Sequence, residues 1–146
     1  LEARLGVAHQ LVALDRDECT VLWREIRDVA PLVAPDSIVW RLSLPAADSA
    51  RTVAAIEAET EIFYDWGGGL VWLSLPAGTV ADDHPRRLLP SGHATLMRAP
   101  AGMRASVPVF QPAAPALAAL QSRVKAAFDP AGILAPGFMA AEPRAS

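Results

Sequence analysis

Apolar and polar positions alternate along Ser37 to Leu44, and apolar residues recur at helical spacing along three further stretches. The clearest strand is Ser37 to Leu44. Ile38, Trp40, Leu42 and Leu44 fall on one side of it, Val39, Arg41 and Ser43 on the other, and Pro45 ends the run. Glu61 to Trp66 and Leu70 to Leu75 read as a hairpin joined through Gly67, Gly68 and Gly69, since glycine supplies the left-handed conformations of a tight connection. Gly92 to Arg98 is a further strand, and the short apolar run His9 to Leu14 another. Three helices are expected. The first is capped by Asp15 or Asp17 and carries Cys19, Leu22, Trp23 and Ile26 on one stripe, opposite Arg24, Glu25, Arg27 and Asp28. In the second, Asp48 is the N-cap of a helix through Ala58 that buries Val53 and Ile56. The third, Ala116 to Phe128, buries Leu117, Leu120, Val124 and Phe128. Ala99 to Pro115 reads as loop, and Pro85 interrupts any long helix in Thr79 to Leu89. This order predicts an α+β fold, a mainly antiparallel sheet with helices packed on one face, and residues 1–146 form a single domain.

Composition narrows the function classes. With 52% apolar and 20% charged residues, the 146-residue chain can bury a core. Thirteen basic against sixteen acidic residues leave a net charge of -3, which argues against a phosphate-binding face and so against nucleic acid. Cys19 is alone, so no internal disulfide forms, and a reducing cytoplasm is the expected compartment. No apolar run reaches the roughly 18–20 residues of a membrane span, and no signal peptide is recognisable. The chain opens on Leu1 without methionine, as a domain cut from a longer polypeptide would.

Little in the chain looks like self-contained catalysis. The triple glycine lacks the Lys-Ser/Thr of a phosphate loop and lies between strands. His9, His84 and His93 lack metal-type spacing, Asp82-Asp83-His84 reads as a solvated loop, and no metal site is expected. Ser91 and Ser106 have no nucleophile context. Trp23 reads as core. Trp66 and Trp72, flanking the hairpin turn, read as packing, with one wall of a pocket as the alternative. Arg41 sits opposite the most apolar face of its strand. It can grip a carboxylate in bidentate fashion, or it is an exposed strand residue or a partner of Asp65.

The tail, Ala127 to Gly137, stops its helix with Pro130, Gly132, Pro136 and Gly137, and Ile133 and Leu134 are expected to plug into a surface. Its Phe-Asp-Pro-x-Gly-Ile-Leu-x-Pro-Gly pattern resembles the carboxy-terminal signature of FAD-linked oxidases of the vanillyl-alcohol oxidase type, with Ala135 where asparagine is usual and Phe138 where a basic residue is usual. Trp40 to Pro45, Asp65 to Leu73, Gly92 to Arg98, Val109 to Pro112 and Leu117 to Pro130 are similar, in order, to blocks of the FAD-binding-type subunit of bacterial glycolate oxidase. The resemblance implies a carboxy-terminal cap domain, inactive alone, whose amino-terminal FAD-binding domain lies outside this chain. It implies FAD as the parent's cofactor and a small 2-hydroxy acid, glycolate first, as its substrate. The implied partners are that FAD domain and other glycolate oxidase subunits, in the cytoplasm or peripherally at the inner membrane through the complex. On this reading Arg41 faces substrate with Trp40, Asp65, Trp66 and Trp72 lining the same region, while Asp129, Gly132 and Pro136 dock the flavin-binding part. The alternative is a non-catalytic domain that binds a partner or a small ligand within a larger complex.

Overall fold

The computed structural model describes residues 12–56, 60–76 and 84–134. It divides into two units, residues 1–31 and 32–146. In the first, helix α1 spans Arg16–Asp28. Asp15 is its N-cap: the carboxylate accepts from the backbone N–H of Asp17 and Glu18, and the Glu18 side chain accepts from the Asp15 N–H. The expected helix therefore forms, but none of its residues is buried, and Trp23 is 67% exposed. Helical spacing sets out an apolar stripe without supplying the surface that would cover it.

The second unit is built on a four-stranded antiparallel sheet, ordered β2-β3-β1-β4. Its strands are β1 (Ile38–Ser43), β2 (Glu61–Asp65), β3 (Leu70–Leu75) and β4 (His93–Arg98). The α+β architecture read from the sequence is thus the one observed. The hairpin turns through Trp66–Gly68, where Gly67 has φ 61° and Gly68 φ 93°. The alternation of β1 decides the core. Ile38, Trp40 and Leu42 join Val71, Leu73 and Leu75 of β3 and Ala94 and Leu96 of β4 in one buried cluster, completed by Leu44, Met103 and Val107. Val53 and Ile56 pack against it half-buried, Ile56 from just past the end of its helix.

Three expectations about the helices change. Helix α2 runs Ala46–Ala54, shorter than predicted, with Pro45 at the N-cap and Asp48 inside its first turn. Proline's fixed φ suits a helix start, so the helix begins earlier than a side-chain cap would place it. After the short α3 (His84–Arg87), the stretch read as loop contains α4 (Ala101–Ser106), whose Met103 reaches the core. One turn and a half rich in Ala and Gly carries too few apolar positions for a periodic signal. Helix α5 (Pro115–Phe128) forms as predicted, yet Leu117, Leu120, Val124 and Phe128 are all exposed, Phe128 at 82%. Ile133 and Leu134 are exposed as well, at 74% and 61%. Of the run His9 to Leu14, residues 9–11 lie outside the described residues, and residues 12–14 form no strand.

Candidate functional site

The sheet has a second face. Val39, Arg41 and Ser43 of β1 point away from the core, and the register sets them beside Ser74, Trp72 and Leu70 of β3. The β2–β3 ladder brings Glu61, Phe63 and Asp65 to the same side, and Thr95 and His93 of β4 oppose Arg41 and Ser43. Phe63, Trp72, Arg41 and Thr95 therefore form one row across all four strands. None of these residues belongs to the core cluster. Phe63, Trp72 and Arg41 are half-buried and Thr95 is buried.

Arg41 is the exceptional member of the row. Its Nε is buried and has no hydrogen-bond partner. Among the described residues the guanidinium takes no acceptor and lies over no ring. A buried donor left unmade costs on the order of 1–3 kcal/mol, so such a group marks a place where an acceptor is expected. A planar cation beside an aromatic side chain fits an anion with a carboxylate-like pair of oxygens.

The other expected site residues separate. Trp40 does not share this face: it has no exposed surface, lies in the core, and its ring carries the Arg86 guanidinium at 4.9 Å from the centroid. Asp65 lies on the Arg41 side of the sheet but makes no pair with it. Its Oδ1 accepts from the Trp66 N–H at 2.7 Å and starts the turn. Trp66 stands 75% exposed at the turn, with φ 50°. Only Arg41 and Trp72 of that set are brought together, as direct cross-strand partners.

At the tail, Asp129 is buried and turned inward. Its Oδ1 accepts from the Ile133 N–H at 2.9 Å, and its Oδ2 from Lys125 Nζ at 2.6 Å and the Leu134 N–H at 3.0 Å. The lysine ammonium, and then the two backbone N–H groups, hold the carboxyl below its usual range despite partial desolvation. Gly132 turns the chain at φ 65° so that these amides reach the carboxylate. Both oxygens of Asp129 take part in closing its own turn. Pro136 lies outside the described residues.

Sequence reasoning missed Arg86, because it falls in the stretch where Pro85 obscured the local structure. Phe63 and Thr95 were within reach, since strand alternation places them on the Arg41 side once the register is known. Among the described residues no group of three or more His, Cys, Asp or Glu could hold a metal ion, and no helix is long and apolar enough to cross a membrane.

Glycolate oxidase subunit GlcE of Escherichia coli (strain K12) is similar to this chain, 30% identical over 123 residues. The matched region is 82% of this chain and 31% of GlcE, so the chain spans about a third of that relative. No family model matches, and no solved structure matches significantly.

Proposed function

We propose that the chain is the cap domain of a flavin-dependent 2-hydroxy-acid oxidoreductase, of the glycolate oxidase kind, and that it is inactive alone. The observation that carries this is Arg41, an arginine with a buried, unpartnered Nε on the sheet face left out of the core. In this reading Arg41 orients the substrate carboxylate, and the flavin is held by a separate portion of the parent polypeptide. The likeness to GlcE supports the substrate class, glycolate or a related 2-hydroxy acid. The exposed apolar residues of α5 and the turn after it, Phe128, Ile133 and Leu134 among them, suit a surface that meets further protein. They would dock the flavin-binding portion or another subunit, at the cytoplasmic side. The same residues favour the second reading, a non-catalytic interaction domain.

The test is the flavin spectrum of the longer polypeptide, purified beside the 146-residue chain. A yellow parent and a colourless chain are expected. Stoichiometric FAD on the chain itself would overturn the division of labour, and flavin on neither would favour the interaction domain. In a yellow parent, Arg41→Lys should weaken 2-hydroxy-acid binding more than it lowers stability, because lysine lacks the planar fork.

A further inference from the structure

The row that contains Arg41 says more about the ligand than its charge. Across β1, β3 and β2 the register runs Arg41, Trp72, Phe63. Neighbouring strands are about 4.8 Å apart, so the rings follow the cation at roughly one and two strand spacings. Both aromatic residues are half-buried, and among the described residues the Trp72 ring carries no cation. Thr95 stands on the other flank of Arg41 and adds a hydroxyl. A two-carbon acid held on Arg41 is too short to span both rings. A ligand that used the whole row would be anionic at one end and flat and apolar at the other.

We propose that this face takes a 2-hydroxy acid bearing an aromatic side group, its carboxylate on Arg41 and its ring over Trp72 and Phe63. The inference rests on the carboxylate reading of Arg41 above and deepens it from "small acid" to an amphipathic one. Trp72 is then the residue that sets specificity, and Arg41 the residue that sets affinity for any member of the class.

The decisive experiment is a nuclear magnetic resonance titration of the 146-residue chain with 3-phenyllactate and, separately, glycolate. Phenyllactate should shift the Trp72 indole N–H and the backbone signals of Arg41 and Thr95, and bind about tenfold more tightly than glycolate or better. Trp72→Val, a substitution suited to a strand, should erase that preference. Arg41→Gln should weaken both acids. Intermolecular Overhauser effects from the phenyl protons to Trp72 and Phe63, recorded on the unaltered chain, give the answer even where a variant fails to fold. Equal affinities, a preference that survives Trp72→Val, shifts confined to another surface, or no binding by either acid would each overturn the proposal. None of those outcomes touches the flavin spectrum of the longer polypeptide, so failure here is separable from failure of the cap reading.

Discussion

The Arg86 guanidinium lies over the Trp40 ring, 4.9 Å from its centroid, and joins the sheet to the segment that follows it. Its Nε donates to the Ala94 carbonyl at 3.3 Å, and its Nη2 to the carbonyls of Pro108 and Val109 at 2.6 and 2.9 Å. A buried arginine is tolerable here because carbonyl oxygens and an aromatic face replace its water. The Leu96 N–H meanwhile donates to the Val109 carbonyl, so the same segment covers the outer edge of β4.

Arg86→Met should therefore destabilise the chain by about 2–4 kcal/mol, through carbonyls left without their donor and the lost cation–π contact. Urea unfolding followed by tryptophan fluorescence measures it. A loss below about 0.5 kcal/mol would mean that the guanidinium contributes nothing net.

Two glycines with positive φ make a controlled pair. A Cβ on Gly92 would sit 2.1 Å from the Ser43 carbonyl oxygen, whereas one on Gly67 would meet nothing within 4 Å. Gly67→Ala should cost about 1–2 kcal/mol, the penalty for a left-handed backbone alone. Gly92→Ala should cost clearly more, since β1 must shift as well. Thermal melts of the two variants, run side by side, should rank them in that order.

Asp129 makes the end of α5 sensitive to acid. Its folded pKa is depressed, so its contribution is present above the unfolded carboxyl pKa and is lost as pH falls through the lower folded value. The Ile133 and Leu134 amide signals should move together as pH drops below about 4, and Asp129→Asn should abolish that movement. Titration of those amides at an ordinary carboxyl pKa would contradict the arrangement of Lys125 and the two backbone donors.

Trp66 and Trp40 should respond oppositely to substitution. Trp66 is exposed with φ 50°, so Trp66→Asn, a residue that accepts left-handed backbone, should be neutral or stabilising by about 0.5–1 kcal/mol. Trp40→Ala should cost about 3–5 kcal/mol, because it empties the centre of the core. Denaturant midpoints of the two variants settle the contrast, and a strongly destabilised Trp66→Asn would mean that the turn packs in a way its exposure does not suggest.

The sequence by itself determined the four strands of the sheet, the hairpin and the two faces of β1. Alternation is a local property, and Ile38, Trp40 and Leu42 cannot share a side with Arg41 in an extended chain. The cap of α1, narrowed to Asp15 or Asp17, and the extent of α5 to within one residue were equally local. What the tertiary structure alone decided was which of these surfaces is covered. Leu117, Leu120 and Val124 have helical spacing whether or not anything packs on them, and in this fold they are left exposed. The row from Phe63 through Trp72 and Arg41 to Thr95 likewise exists only through strand order and register, which join residues far apart in the chain. Side-chain pattern sets the face a residue points to; long-range hydrogen bonding of the backbone sets its neighbours there.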